Sequence, residues 1–306
     1  METLKEFYAQ LDEKYDNGNA QEIEQFLQEA IRKNAVCCGR YSEIHVAAMS
    51  ELGGLYRGMG KYKESESNLL SVKNILAGSL GVETVEYATN LNNLAGTYRL
   101  MGMQKDALEN FEQARKIYEK TVGKEDYFYG TLLNNIGLLY QSEGEYKKAA
   151  QYIENSARII GNLDGRQEEA ATALVNLGII YSNMGEDEKA EKSVENALEM
   201  FEKYAPHSYH VAAARNSRGV LAYRKGDYKT AKEYYLKALE TLEHILGKNV
   251  EYAIACDSLA VTCAKLGENK EGAKFAKTAA EIYERLYGKE NPRAVNSRNL
   301  QKGLEA

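Results

Sequence analysis

An all-α solenoid of antiparallel helix pairs is the fold class that this 306-residue sequence predicts. Three observations carry that expectation. Glycines recur at positions 18, 60, 102, 144, 185, 226 and 267, in steps of 41 or 42 residues. Apolar residues recur at helical spacing on both sides of each of these glycines. Only 2 prolines interrupt the chain, so long helices are possible throughout. A near-constant period of this size marks a repeat architecture, in which each unit buries its apolar surface against its neighbours.

The clearest copy of the frame is Leu94-Ala95, then Tyr98, Gly102 and Ala107. It returns as Ile136-Gly137, Tyr140, Gly144 and Ala149, and as Leu177-Gly178, Tyr181, Gly185 and Ala190. The small residues mark where two helix backbones must approach closely. The turn glycine adopts φ > 0 at no Cβ cost and so joins antiparallel helices in few residues.

In order, the repeats are expected at about 1–40, 41–82, 83–125, 126–166, 167–208, 209–250 and 251–290, with a capping helix over 291–306, all in a single domain. The first is degenerate. Leu4, Tyr8, Leu11 and Tyr15 make one stripe, Asn17-Gly18-Asn19 a break, and Ile23, Phe26, Leu27, Ala30 and Ile31 a second stripe. Residues 35–40 are the longest predicted loop. The sixth repeat departs from the frame, with Arg218 where the others carry an aliphatic and Ala222 where most carry Tyr. Residues 292–300 predict one further helix over the last layer.

Hydrophobic content of 44% supplies a core, and 23 Tyr suit helices whose inner faces are half buried. A net charge of -6 argues against nucleic-acid or anionic-membrane binding. No segment approaches the ~20 apolar residues of a membrane span, and the first residues lack a signal-peptide run. Cys37-Cys38 and the pair Cys256 and Cys263 form no disulfide framework, which predicts a reducing, cytoplasmic setting and simple packing roles.

This frame resembles the tetratricopeptide repeat. The long period, the Leu91-Asn92-Asn93-Leu94-Ala95 string and the loops at Leu246-Gly247-Lys248 and Tyr287-Gly288-Lys289 are similar to its kinesin-light-chain type. Val122-Gly123-Lys124 starts the same loop, with Tyr129 in place of the expected Ala. The sequence carries no motor-binding coiled coil, so the likeness does not extend to motor association. The resemblance implies a right-handed superhelix whose first helices line a concave groove. Carried over position by position, groove residues are Arg57, Asn92, Asn93, Arg99, Asn134, Asn135, Asn176 and Asn216, with Glu51, Ser217 and Ser258 at equivalent places. Asn amides offer donors and an acceptor to a bound peptide backbone. A second reading has the same Asn residues tie neighbouring helices together. Repeats of this family that grip a C-terminal carboxylate use inward Lys or Arg. Thirteen residues before the turn glycine this chain has Ala47, Thr89, Thr131, Thr172, Ala213 and Ile254, so that subtype is not expected.

Arg215, Arg218 and Arg224 recur on one helix of the sixth repeat. Arg218 is either paired inside with a carboxylate or part of a basic patch for an acidic ligand, and on the second reading it joins the groove residues, since a buried unpaired Arg is very costly. Among His45, His207, His210 and His244, only His207 and His210 are close in sequence, and they lack a third zinc ligand. No phosphate-binding, dinucleotide, metalloprotease or serine-hydrolase motif occurs, and the carboxylates after each turn read as a solvated outer face. The expected function is a non-catalytic protein- or peptide-binding scaffold without cofactor or metal. The alternatives are a sensor module that passes a peptide signal to a separate effector, weakened by the absence of an accompanying DNA-binding or catalytic domain, and, remotely, an enzyme using the groove. The partner's identity and the oligomeric state stay open.

Overall fold

The computed structural model describes residues 3–17, 20–206, 208, 210–245 and 249–306, without the side chains of residues 16, 17, 244 and 245. The expected turn at Gly18, the loop at Leu246-Gly247-Lys248, and His207 with Tyr209 lie outside the described residues, as does the side chain of His244. The described residues form fifteen α-helices in two compact units, 1–143 and 144–306.

The first unit contains α1 (Leu4–Asn17), α2 (Ala20–Cys37), α3 (Glu43–Gly58), α4 (Tyr62–Ser79), α5 (Val85–Leu100), α6 (Gln104–Thr121) and α7 (Tyr127–Ser142). The second contains α8 (Tyr146–Gly161), α9 (Gln167–Asn183), α10 (Asp187–Tyr204), α11 (His210–Arg224), α12 (Tyr228–Ile245), α13 (Val250–Leu266), α14 (Asn269–Tyr287) and α15 (Pro292–Glu305). Each helix packs on the next in its unit. In addition, first helices touch across repeats: α1 with α3, α3 with α5, α5 with α7, and α9 with α11, α11 with α13, α13 with α15. Among the described residues no two successive second helices approach in this way. Within each unit the first helices therefore form the tighter layer. The helix α15 takes the place of a next first helix and buries Ala294 and Ser297.

Local chemistry explains where the helices begin and end. Ser42 Oγ accepts from the His45 amide, Thr84 Oγ1 from that of Tyr87, and Asp126 Oδ1 from that of Phe128, capping α3, α5 and α7. The turn after α3 closes with Lys61 N donating to Tyr56 O at 2.9 Å and Gly60 N donating to Arg57 O at 3.1 Å. That pair of bonds requires the left-handed conformation that Gly60 holds at φ 75°. The same bonds recur at Gly102, Gly185, Gly226 and Gly267.

The small residues sit where the frame predicts. Ala107, Ala149, Ala190 and Ala231 are fully buried. A Cβ on Gly178 would lie 2.5 Å from Val194 Cγ2 and 3.2 Å from the Ala190 carbonyl oxygen. Gly219 lies under the ring of Tyr235, 2.6 Å from where its own Cβ would be. The frame tyrosines Tyr56, Tyr98 and Tyr181 bury their rings, and the hydroxyl of Tyr56 donates to Glu24 Oε1 at 2.9 Å.

Three expectations need correction. The stripe of α1 is Leu4, Phe7 and Leu11, because Phe7 stacks on Phe26 and turns Tyr8 and Tyr15 outward. The loop predicted over 35–40 is shorter, because Cys38 N still donates to Asn34 O and the left-handed residue that ends the helix is Gly39. Finally, Cys37 and Cys38 are exposed and pack nothing, since the buried stripe of α2 stops at Asn34, whereas Cys256 and Cys263 are buried.

The close approach of α10 to α9 yields a direct test. Replacing Ala190 by Leu forces side-chain volume into a backbone contact, and urea unfolding will show a loss of about 1–3 kcal/mol. An unfolding midpoint unchanged from wild type would refute the packing role.

Candidate functional site

The first-helix layer of each unit leaves a face that the packing frame does not fill. Residues three, six, nine, ten and thirteen before each turn glycine fall on one side of the helix, because each residue turns it by about 100°. In the first unit this side is polar. Arg57, Asn93, Arg99, Asn134 and Asn135 are half buried, and Asn92 is buried. Asn135 Nδ2 donates to Asn92 Oδ1 at 3.0 Å, linking α7 to α5. Arg57 Nη1 crosses from α3 and donates to Asn93 O at 3.0 Å. Some of the predicted row thus ties neighbouring first helices together, as the second reading of the Asn residues requires. Glu51, at the position that holds Asn93 in the next repeat, faces Asp12, Tyr8 and Tyr15 of α1. Burial, reinforced by the Asp12 carboxylate, raises its pKa.

In the second unit the same side carries an aliphatic row. Ile179, Val220 and Val261, six residues before Gly185, Gly226 and Gly267, are 38%, 42% and 37% exposed. The equivalent residues of the first unit are Gly54, Gly96 and Leu138. Ile179, Val220 and Ile254 line a cavity of about 640 Å³ whose polar margin includes Ser182, Asn216, Ser217 and Arg224. Arg224 Nη1 donates to Ser182 O at 2.6 Å, so it bridges α11 to α9. Asn216 Oδ1 is buried there without a hydrogen-bond partner. Asn176 is half buried on α9. The three aliphatics were not among the sequence-predicted site residues. Their signal was an aliphatic residue repeating every 41 positions where the packing frame requires none.

Arg218 lies eight residues before Gly226, about 140° around the helix from the position three before it. Its contacts are therefore with the second-helix layer. It reaches Glu191 at 3.2 Å and Glu195 at 3.4 Å on α10, and its guanidinium lies over the Tyr234 ring of α12. Glu191 also holds Lys225 at 2.5 Å. The ion-pair alternative describes these contacts.

His45 and His210 have structural surroundings. A ring nitrogen of His45 lies 3.1 Å from Ile31 O, and His210 stacks on Phe201, where burial lowers its pKa. Among the described residues one cluster brings together three residues able to ligate a metal: Cys263, Glu268 and Glu271. The Lys232 ammonium lies 2.7 and 2.6 Å from its two carboxylates and already supplies the positive charge. Among the described residues no helix is long and apolar enough to cross a membrane.

A stack of helix pairs closed by left-handed glycines, with small residues at each crossing, defines a helical-repeat protein. A family model for the tetratricopeptide repeat matches residues 43–120, 128–203 and 169–244, well over half of the sequence. The chain belongs to the tetratricopeptide-repeat family, whose repeats generally mediate protein interactions and are typically non-catalytic. The sequence matches none of the curated proteins.

Among solved structures it is similar to BtubC (BKLC) from P. vanneervenii, at 22% identity and a TM-score of 0.62, over 77% of this chain and 95% of that one. It is also similar to a signal-transduction ATPase with a tetratricopeptide-repeat sensor from Pyrococcus horikoshii, at 17% identity and a TM-score of 0.68, over 99% of this chain but 47% of that one. A tetratricopeptide-repeat protein from Parabacteroides merdae is similar at 16% identity and a TM-score of 0.55, over 99% of this chain and 98% of that one. Each of these likenesses shows the fold alone.

Two site predictions follow from the electrostatics. The raised pKa of Glu51 means that folding disfavours its ionised form, so its contribution is lost as pH rises through the carboxylate range. Glu51→Gln will raise the thermal midpoint at pH 7, and the gain will vanish on acidification below about pH 4; a gain that persists there would contradict the assignment. Arg218→Leu will lower unfolding stability by about 1–2 kcal/mol, less than a fully buried pair, because Glu191 keeps Lys225. Denaturant titration checks it, and an unaltered curve would show that the pair contributes nothing.

Proposed function

We propose that this chain is a non-catalytic binding module whose first-helix faces, the inner groove expected for the solenoid, take a peptide segment of a partner protein. The observation that carries this reading is the exposed aliphatic row Ile179, Val220 and Val261 beside a cavity with a polar margin. Exposed aliphatics on neighbouring helices are poorly hydrated, and an apolar side chain seated among them removes that surface from water. Ser182, Asn216, Ser217 and Arg224 surround the cavity with groups able to pair with a peptide backbone. On the first unit, Asn93 and Asn134 stand nine and ten residues before their turn glycines, as Ser217 and Asn216 do before theirs, and support the same use of that face.

A second reading, the sensor module, draws support from the Pyrococcus horikoshii neighbour, whose sensor-bearing chain matches nearly the whole of this one in fold. On that reading the peptide contact is the same, and a separate effector reads its effect.

The test is peptide selection against the whole chain from a random library, followed by titration calorimetry of a selected peptide. Val220→Asp places a charge in the apolar row without touching the packing frame, and will weaken that peptide at least roughly tenfold. Equal affinity for wild type, Val220→Asp and a variant with Asn93, Asn135 and Asn176 all changed to Ala would remove the face from consideration.

A further inference from the structure

We propose that Cys37 and Cys38 form a dithiol site for a trivalent metalloid of the arsenic or antimony class, which joins their two sulfurs. The site does not depend on the peptide-binding reading. Cys37 ends α2, Cys38 follows it, and both are free and exposed. Their sulfurs lie 2.7 Å apart, so the two thiols face each other rather than diverging into solvent. The flanking Val36 and Tyr41 are 90% and 68% exposed, which leaves this stretch of chain open to a reagent. The other two cysteines differ in every respect. Cys256 and Cys263 are fully buried on α13, and burial pushes the Cys263 thiol up to about 11.

Geometry selects the ligand. A disulfide here would join adjacent residues, whose Cα atoms are about 3.8 Å apart against the roughly 4.4–6.8 Å of ordinary disulfides. Such strain makes the bond easily reduced. The pair also sits at the C-terminal end of a helix, where the dipole disfavours thiolates, and the hydrogen bond between the two sulfurs raises the pKa of Cys38. A low thiolate fraction slows attack on an oxidant. Zinc takes four ligands, and among the described residues no third His, Cys, Asp or Glu joins this pair. Linear two-coordinate ions need sulfurs on opposite sides of the metal, whereas these two lie side by side. A trivalent arsenic or antimony centre is soft and pyramidal. It takes two sulfurs on one side and keeps its third bond for a hydroxyl or carbon substituent.

The exchange balances without an oxidant. In a monosubstituted arsenic dihydroxide two As–O bonds break and two As–S bonds form, and each thiol proton leaves with a hydroxyl as water. Arsenic stays trivalent. Once the first sulfur has bonded, the second already stands beside it, so ring closure is intramolecular and favoured by a high effective concentration.

The probes are phenylarsine oxide, sodium arsenite and zinc(II), each added to the whole reduced chain and followed by native mass spectrometry. Wild type will take one phenylarsenic group, or one arsenic from arsenite, with loss of both thiol hydrogens. Excess glutathione will leave the adduct in place, and the dithiol 2,3-dimercaptopropanol will strip it. Cys37→Ser and Cys38→Ser will each weaken capture at least roughly a hundredfold, leaving an adduct that glutathione removes. Both replace exposed side chains, so circular dichroism and the thermal midpoint will match wild type. Cys256→Ser/Cys263→Ser will capture as wild type does. Should that variant not fold, proteolytic mapping of the wild-type adduct to residues 37 and 38 makes the same distinction.

Capture that withstands glutathione in either single Ser variant overturns the proposal, as does an adduct mapped to Cys256 or Cys263. Zinc bound as tightly as phenylarsine oxide overturns the metalloid assignment. A disulfide between Cys37 and Cys38 that persists under excess glutathione overturns it as well, because it would show a relaxed bond where the backbone requires a strained one.

Discussion

Everything in this fold depends on how closely a first and a second helix can approach. Where Gly178 meets Val194 and the Ala190 backbone, no Cβ fits, and where Gly219 meets Tyr235 an aromatic ring takes the vacant place. Those contacts set the distance between helices, and the distance sets how much of Leu177, Val194 and Ala197 leaves water. A single pair still exposes one apolar face. Burial is completed only by the next pair, so stability is shared between neighbours. The N-terminal core shows this sharing: Phe7 and Leu11 of α1 and Leu27 of α2 close over Ile44, Ala48 and Leu52 of α3.

The same constraint decides which positions are free. Close packing claims the residues eight, seven and four before each turn glycine, and so Leu94, Ala95 and Tyr98 have counterparts in most repeats. The side of the first helix turned away from its partner carries no such demand. On the first unit that side collects glycine, Asn and Arg; on the second it collects Ile and Val. Neither choice improves the core, and the exposed aliphatics put apolar surface into water without compensation in the free protein. On the proposed reading, a bound peptide supplies that compensation.

The repeats were legible in the sequence because they answer to backbone geometry. Gly60, Gly102 and their equivalents hold φ near 75°, a requirement that composition alone can reveal as a spaced row of glycines. The tail helix was legible for a similar reason, with Asn291 and Pro292 marking its start. The first repeat was harder to read. In a helix with aromatic residues at 7, 8 and 15, spacing does not say which ring turns inward, and the stack of Phe7 on Phe26 decides it. Among the expected site residues, the Asn row lies on the first helices α5, α7, α9 and α11. Sequence could not separate an amide that bonds to another amide, as Asn135 does to Asn92, from one that is left over. The row Ile179, Val220 and Val261 escaped attention because an aliphatic residue in a helix ordinarily signals core.

The arginines show how much helix rotation decides. Arg218 and Arg99 both lie on first helices, five positions apart in repeat register, and five residues carry the helix through about 140° beyond a full turn. At the earlier position the side chain emerges toward the second-helix layer, which is rich in Glu, and Arg218 finds Glu191 and Glu195 there. At the later position it emerges on the side away from the second helices, where the charge of Arg99 acts on Arg57. An identical residue type thus forms ion pairs in one repeat and, among the described residues, none in two others. That difference follows from the register of each residue within its repeat.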